Sequence, residues 1–572
     1  MSPRRWAAGA ARGVPRRLRE LSPRREDWTG PGIRPGRDVT SGLMVGLVAL
    51  PLALGFGVSS GMGAGAGLVT AIVAGVLAAV FGGSHVQISG PTGAMTVVLI
   101  PIIATHGPDG VLVVGLLAGL ILLALGWSGA GRFIHYLPAP VVEGFTLGIA
   151  VIIALQQLPS VLGVEVHAEK VLVLAAGAVQ AWVAQPVWVP LLLAVGVVGL
   201  ILGVGRLRPG VPGSLVAVVA ATLANSWLDL GAAPIGAIPS SIAFPSLPTV
   251  PLGDVGQLLL PALAVAALAA LESLLSATVA DGMTVERRHD PDRELVGQGL
   301  ANLGSPLFGG IPATAAIART AVNVRSGATS RISAVVHSVA LLVVVLVASR
   351  WVGEIPLAAL GGVLVATAIR MVQFSSLRGL LRSTRGDAVV LVVTALATVL
   401  LDLVTAVLVG VVVAGFFALR QTARSARLDE EPLDAPGREH RDEEQALLDE
   451  RIVAYRIDGP LFFAAAHDFL LELSDVGDVR VVVLRLTHLT TIDATGAGML
   501  AEIITRLEAR GITVLLSGMR PEHERVVRGL NVHEKLAHER HLFATTPEAI
   551  EHARLHASRV PHDPGARAGQ GA

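Results

Sequence analysis

Long apolar segments separated by short polar loops follow one another from about residue 40 to residue 421. Because a helix needs about 20 apolar residues to cross the bilayer core, these segments predict membrane spans. The predicted spans form two groups of seven. The first lies near 40–60, 64–82, 91–104, 109–128, 139–158, 187–205 and 211–229. The second lies near 256–281, 293–308, 312–326, 330–350, 355–372, 386–402 and 404–421.

Arginine residues fall mainly on one side of this arrangement. Arg132, Arg288 and Arg325 lie at or between predicted spans, on the side shared by the Arg-rich N-terminal segment and the region after Arg420. Cations mark the cytoplasmic face of a membrane protein. The sequence therefore predicts cytoplasmic termini. Residues 1–38 contain no short apolar core followed by a cleavage site, which predicts a tail rather than a signal peptide.

A break containing proline recurs in both groups of spans. QISGPTGAMTV (87–97) aligns with FGGIPATAAIA (308–318), and Pro91 then matches Pro312. Since seven spans is an odd number, the second copy must enter from the opposite side. The sequence thus predicts an inverted repeat, an architecture of many secondary transporters.

The two breaks predict a site for an anion. Proline suits the first turn of a helix, so we expect short helices to begin at Pro91 and Pro312 in mid-membrane. A helix N-terminus carries roughly half a positive charge and free N–H groups, which bind anions without a metal. A single break of this kind could be only a kink that serves helix packing. Because the break recurs at a matching position in the second group of spans, a functional anion site is favoured.

Three motifs resemble the sulfate permease (SulP) family of anion transporters: GFGVSSGMGAGAGLVTAIVAG, GGSHVQISGPTGAMTV and GGIPATAAIARTAVNVRSGATSR. The resemblance covers about residues 40–421 and implies fourteen spans in two inverted repeats, divided into core and gate domains, and a homodimer. It implies an anion between the two helix starts. By motif position, the implied substrate-binding residues are Phe56, Gly90, Thr92, Gly93, Ala94, Thr314, Ala315, Ala316 and Arg319. Arg319 could alternatively lie at the cytoplasmic end of its helix and snorkel.

Glu272 is the outstanding charge within a predicted span. A charge at the bilayer centre costs about 2.5–3.5 kcal/mol, so this side chain should face the protein interior or water, where it could carry a proton. Ser276 lies one turn further on the same face. In the family this position is implied to bind the coupling ion, and glutamate with serine favours a proton over sodium. A hydrogen-bonded structural carboxylate is the alternative.

The chain changes character after Leu419. Residues 422–449 are charged and predict a linker, and 450–556 alternate strand and helix patterns, which predicts a small α/β domain. The loop THLTTIDATGAGML resembles the STAS domain, whose soluble relatives are phosphorylated in this loop. Asp493 and Thr495 are therefore candidate regulatory residues, unless Thr495 caps the following helix. A cytoplasmic partner could bind this domain, and we expect 557–572 to be disordered.

Composition limits the class of function. The chain is 52% hydrophobic and 15% charged, with a mean hydropathy of +0.65, which indicates a polytopic membrane protein in contact with lipid. A formal net charge of zero gives no reason to expect nucleic acid binding, and no cofactor, metal or enzyme motif is apparent. We therefore expect a transporter of the cell membrane and no enzyme. Sulfate or bicarbonate in symport with a proton is favoured.

Two other functions stay open at this point. The same fold could serve a nucleobase-type permease, although those sites usually contain further carboxylates. The chain could also be a membrane-tethered signalling protein that acts through its STAS domain. That hypothesis leaves the two matching breaks without a purpose.

Overall fold

The chain divides into two compact units, Met1–Ala414 and Gly415–Ala572. The structure is a computed structural model, and it describes residues 17, 19–30, 32–132, 138–168, 170–208, 211–241, 244–248, 255–284, 288–401, 403–424, 427–430, 451–461, 479–538 and 541–558. Most of the predicted linker at 422–449, and the predicted tail from residue 559 onward, lie outside the described residues.

Helices build the first unit, and two strands of two residues each, β1 (Ser89–Gly90) and β2 (Thr314–Ala315), interrupt them. The first eight helices are α1 (Pro35–Ser59), α2 (Ala64–Phe81), α3 (Gly93–Ser128), α4 (Ala139–Gln156), α5 (Leu158–Leu162), α6 (Val171–Ala184), α7 (Trp188–Leu207) and α8 (Gly213–Trp227). The next eight are α9 (Val255–Met283), α10 (Pro291–Leu307), α11 (Ile317–Arg325), α12 (Ile332–Gly353), α13 (Leu357–Met371), α14 (Phe374–Arg382), α15 (Arg385–Leu400) and α16 (Leu403–Arg424).

Many of these helices suit a bilayer. Among the described residues, nine helices are long and apolar enough to cross a membrane. In the most apolar window of α7 only 17% of the residues are buried, and side chains such as Leu192 and Val195 are exposed. An apolar helix that exposes its apolar side chains fits contact with lipid rather than water.

The helices of the structure differ from the predicted spans in two places. α3 breaks at Gly107, whose φ of 66° is left-handed, and Pro108 then starts the second half; this break divides the predicted spans 91–104 and 109–128. The 14-residue apolar helix α6 was missed by the prediction. Glu165, Glu169 and Lys170 precede it and make the stretch resemble a loop. The count of fourteen spans stays a prediction.

Two groups of helices pack within the first unit. In the core group, α1 packs on α2 and α12, while α10 packs on α2 and α3, and α9 on α3 and α11. In the gate group, α4 packs on α15, and α13 on α7. Glycines allow close crossings in both groups: a Cβ at Gly119 in α3 would lie 2.8 Å from the Gly299 oxygen, and one at Gly362 in α13 would lie 2.7 Å from the Ala194 oxygen. The two groups agree with the core and gate domains implied by the resemblance.

The segment before α1 is packed against the start of α10, which the prediction of a simple tail at 1–38 did not anticipate. Asp27 is 5% exposed, and its carboxylate accepts hydrogen bonds from Arg293 at 2.5 and 3.1 Å. Burial by itself would raise the pKa of Asp27. Hydrogen bonds from Arg293 and the Arg24 amide, together with the charge of Arg331, outweigh burial and lower that pKa to about 2. Asp27 therefore stays ionised and fixes this segment.

The second unit contains a six-stranded sheet. Its strands are β3 (Arg427–Glu430), β4 (Ile452–Leu461), β5 (Val481–Arg485), β6 (Leu489–Ile492), β7 (Thr513–Ser517) and β8 (Leu542–Phe543). The order is β3-β4-β5-β7-β8, with β6 also paired to β4; β3 is antiparallel to β4 and the other pairs are parallel. β3 lies inside the predicted linker, so that stretch is not wholly irregular.

Helices cover both faces of this sheet. They are α17 (Ala494–Ala509), α18 (Pro521–Gly529) and α19 (Thr546–Ala557). Val482 and Leu484 of β5 belong to the same apolar cluster as α17, whereas Val481 and Val483 pack with α19. A strand buried on both faces explains the continuous branched run that the sequence shows.

The loop that resembles the STAS motif forms the start of α17. Asp493 is the N-cap residue, and its Oδ1 accepts a hydrogen bond of 2.7 Å from the Gly496 amide. The alternative in which Thr495 caps this helix is therefore wrong. Thr495 lies in the first turn and is exposed. A regulatory role for Asp493 and Thr495 stays a prediction.

Gly496→Ala is expected to destabilise the second unit, whereas Gly498→Ala in the same helix is not. A Cβ at Gly496 would overlap the backbone oxygen of Leu461, while a Cβ at Gly498 would meet nothing within 4 Å. Overpacking costs about 1–3 kcal/mol, and the exposed control should gain up to about 1 kcal/mol of helix propensity. Limited proteolysis of the purified chain during heating measures both. Equal resistance of the two variants would contradict the close contact.

Candidate anion-binding site

The two proline-containing breaks meet inside the core group. β1 and β2 pair antiparallel, with Ser89 opposite Ala315 and Gly90 opposite Thr314. The Ala316 amide also donates to the Ile88 oxygen at 3.0 Å. The four residues of β1 and β2 are buried within the unit, where irregular chain needs internal partners. The two breaks thus meet, as the repeat predicted, and because β1 and β2 are antiparallel, α3 and α11 begin at opposite ends of the strand pair.

The predicted helix starts were wrong by a few residues. α3 begins at Gly93 after an extended N-cap residue, Thr92, and α11 begins at Ile317 after Ala316. Pro91 follows β1, whereas Pro312 precedes β2, so the two prolines are not equivalent in the structure. Because proline cannot donate to a strand ladder, each one lies just outside the paired residues.

Neither helix start has a side-chain cap. The hydroxyl of Thr92 makes no capping hydrogen bond, and Ala316 has no side chain that could make one. The first N–H groups of an α-helix have no partner within the helix. Two helix ends that lack caps, on either side of the β1–β2 pair, are an arrangement that can hold a negative charge.

Phe56 and Gly93 line one side of this region. Phe56 of α1 is 5% exposed, and a Cβ at Gly93 would lie 3.2 Å from its Cε1 atom and would overlap Ile153 of α4. A larger residue at the first position of α3 would therefore require the side chain of Ile153 to move. Ala94, next along the helix, is also buried.

Glu272 lies beside the start of α3. Its Oε2 accepts a hydrogen bond of 3.0 Å from the Thr92 hydroxyl, and Thr314 and Arg319 are close enough to interact with it. Glu272 as a whole residue is half-buried within the unit. The carboxylate is therefore connected to the residue that precedes α3.

Arg319 lies within the site rather than at the membrane surface. It is 2% exposed, and its Nη2 donates to the Pro91 oxygen at 2.9 Å. A Cβ at Gly90 would lie 2.7 Å from Nη1, so the guanidinium lies directly over this glycine. In the described part of the chain, Nη1 is buried and has no hydrogen-bond partner. The snorkelling alternative is therefore wrong, and a cationic donor is available beside the two helix starts.

Ser276 forms its side-chain hydrogen bond with Thr320 of α11. Its hydroxyl donates to Thr320 at 3.1 Å, and the Thr320 oxygen also accepts from the Ile88 amide at 3.1 Å. Ser276 thus supports the backbone of the break. Its predicted contact with a coupling ion stays a prediction.

Sequence reasoning missed the side chains that hold the breaks in place. Ser273 accepts from the Ala315 amide at 3.1 Å, and Gln298 donates to the Ser89 hydroxyl at 2.7 Å. Asn302 binds both the amide and the oxygen of Ala313, at 2.9 and 2.8 Å. Polar residues spaced by four in the moderately apolar span at 293–308 were the available signal.

Comparisons with known proteins agree with this fold. The sulfate permease family matches residues 36–394, and the STAS domain matches residues 445–549. The putative sulfate transporter YvdB of Bacillus subtilis is 33% identical over 524 residues, which cover 89% of this chain and 96% of the relative. The bicarbonate transporter BicA of Synechocystis is 30% identical over 549 residues, which cover 92% of this chain and 95% of the relative.

A solved structure supports the same arrangement of helices. The murine Solute Carrier 26 family member A9 anion transporter, in the inward-facing state, superposes with a TM-score of 0.78. The match covers 92% of each chain at 17% sequence identity, so it shows the fold alone. Together with the family match over residues 36–394, these findings show that the chain is a multi-pass membrane protein that belongs to the sulfate permease family of anion transporters, followed by a STAS domain.

Proposed function

We propose that the chain is a secondary active transporter that carries a small anion across the cell membrane in symport with a proton. Sulfate or bicarbonate is the favoured anion, because relatives at 33% and 30% identity are named for sulfate and for bicarbonate. The proposal includes the sequence-based expectations of cytoplasmic termini and a homodimer.

The anion is held by main-chain donors of both repeats. The uncapped starts of α3 and α11 supply N–H groups, and the buried Nη1 of Arg319 supplies a cationic donor without a partner among the described residues. Hydrogen bonds to a charged group contribute about 1.5–3 kcal/mol each, and together they can replace the hydration of a small oxyanion. This unpaired donor beside two uncapped helix starts is the observation that carries the proposal.

Transport proceeds by alternating access. The core group moves as a body against the gate group, so that the site opens to one side and then to the other. The interface between the groups includes α1 against α13, where a Cβ at Gly55 would lie 3.0–3.2 Å from atoms of Leu364.

Glu272 supplies the coupling. Its carboxylate binds Thr92 at the N-cap of α3, so its protonation state is linked to the helix start that holds the anion. A neutral Glu272 lowers the repulsion toward an incoming anion, and the loaded site then carries less net charge through the membrane.

Uptake into proteoliposomes tests this function. The purified chain is reconstituted, and labelled sulfate, bicarbonate, fumarate, nitrate and chloride are supplied in turn with an inward proton gradient, an inward sodium gradient or none. We expect one of these anions to accumulate above protein-free vesicles when the proton gradient is present. Accumulation under sodium alone would contradict the proton symport, and accumulation of no anion under any gradient would overturn the function.

A further inference from the structure

Three histidines of the second unit lie together although they are apart in the sequence. His541 directly precedes β8 and is 3% exposed, while His552 and His556 are half-buried and lie one turn apart on α19. The ring centroids of each pair are 5.0–5.5 Å apart. The fold thus gathers three imidazoles at the edge of the sheet that β8 forms.

The ring nitrogens have the separation of metal ligands. One ligand atom from each of the three rings lies within 4.8 Å of the other two. The Nε2 atoms of His552 and His556 are 3.2 Å apart. Two nitrogens bound to one tetrahedral zinc ion at about 2.0–2.1 Å are about 3.3 Å apart. The pair on α19 therefore needs almost no change to hold a metal ion.

His541 brings the third ligand from a different element. Its Nδ1 is buried and has no hydrogen-bond partner among the described residues. Buried polar atoms are nearly always satisfied, so a buried nitrogen of this kind beside two further imidazoles calls for a partner. A metal ion bound between the three rings would use the imidazole of His541 as a ligand.

We propose that His541, His552 and His556 bind a divalent transition-metal ion of the zinc class, with a fourth position open to water. Imidazole nitrogen suits zinc, copper and nickel, whereas magnesium and calcium require oxygen ligands. The ion connects the chain before β8 to α19, and β8 pairs with its neighbour through only Leu542 and Phe543. Metal binding therefore fixes a short edge strand to the helix that covers it.

The sequence alone gave no sign of this site. His552 and His556 have the spacing of two ligands on one helix face, but such a pair is common without a metal. His541 lies before a strand, and only the pairing of β8 with β7 brings it to α19.

Zinc binding by the full-length chain tests the proposal. The chain is purified in detergent with an affinity tag that contains no histidine, stripped with a chelator, and titrated with Zn²⁺ against a chromogenic indicator. His552→Gln and His556→Gln remove one ligand each. His488→Gln is the matched control in the same unit, because its side chain is 58% exposed and lies outside the cluster.

We expect one Zn²⁺ per chain in the native protein and in His488→Gln, and a weakening of about 100-fold or more in each ligand variant. Co²⁺ in the native chain should give the intense absorption of a four-coordinate site. No binding by the native chain, equal binding in all variants, or a six-coordinate Co²⁺ spectrum would each overturn the proposal. Circular dichroism verifies that the variants fold. The Co²⁺ spectrum tests four-coordinate binding in the native chain, without any substitution.

Discussion

Arg319→Leu is expected to weaken anion transport by roughly 100-fold or more. The substitution removes the unpaired Nη1 donor and the hydrogen bond from Nη2 to the Pro91 oxygen, and it leaves Glu272 without its cationic neighbour. Loss of one partner from a buried charged group costs about 3–5 kcal/mol, and loss of a charge-assisted hydrogen bond about 1.5–3 kcal/mol. Initial rates of anion uptake into proteoliposomes, measured over a range of anion concentrations, give the effect on the apparent KM.

Arg325→Leu is the matched control for this prediction. Arg325 ends the same helix, α11, and is exposed, so its loss changes the charge of the helix without touching the site. Transport by this variant should stay close to that of the native chain. If both variants transport equally, the guanidinium of Arg319 does not bind the anion. If Arg319→Leu and Arg325→Leu lose transport equally, the loss comes from the changed charge of α11 and not from a contact between Arg319 and the anion.

Arg319→Lys separates charge from geometry. A lysine keeps the positive charge, but its single ammonium group cannot reach both the Pro91 oxygen and the space over Gly90 as the guanidinium does. An intermediate loss of transport is therefore expected. Full activity would show that the charge alone is sufficient.

The sequence was informative where a physical constraint leaves a pattern. A broken helix inside a bilayer needs glycine, proline and small residues, and the two breaks could be found at Gly90 and Thr314 because they recur. The meeting of the two breaks followed from the inverted repeat. The strand pairing of Ser89 with Ala315 then confirms it at the level of single residues.

The sequence was less informative where the outcome depends on three-dimensional neighbours. Proline at positions 91 and 312 suggested equal helix starts, but the strand pair shifts the two prolines to opposite ends of their strands. The hydroxyl of Ser273 and the amide of Gln298 support the breaks from helices that are distant in the chain. The spacing of Gln298 and Asn302 marks a polar face of α10, but it does not show which backbone groups these side chains bind.

In the second unit, the sequence pattern accounts for the buried strand β5 but not for the cap of α17. The run of branched residues in β5 fits a strand buried on both faces, since such burial selects these residues. The loop sequence suggested Thr495 as the possible cap of α17, whereas the N-cap residue in the structure is Asp493; both types of residue cap helices. Asp493 has an extended backbone before the helix, and its side chain accepts a hydrogen bond from the Gly496 amide.

Glu272→Gln is expected to abolish proton-driven accumulation of the anion, down to the level of protein-free vesicles. Glutamine has the same shape and can still accept the hydrogen bond from Thr92, but it cannot bind and release a proton. Anion binding should therefore largely remain. Exchange of labelled for unlabelled anion across the membrane, which needs no net proton movement, should change by less than about tenfold, the contribution of one hydrogen bond.

Two assays on the same vesicles separate coupling from binding, and Asp281→Asn provides the control. Asp281 lies near the end of the same helix, α9, where its carboxylate is 2.7 Å from the His289 Nδ1 atom and outside the site. Its substitution removes a carboxylate from α9 but should leave both accumulation and exchange in place. Accumulation that persists in Glu272→Gln would mean that another group carries the proton. Loss of accumulation and exchange together would mean that Glu272 holds the structure of the site, because a group that only couples is not needed for exchange.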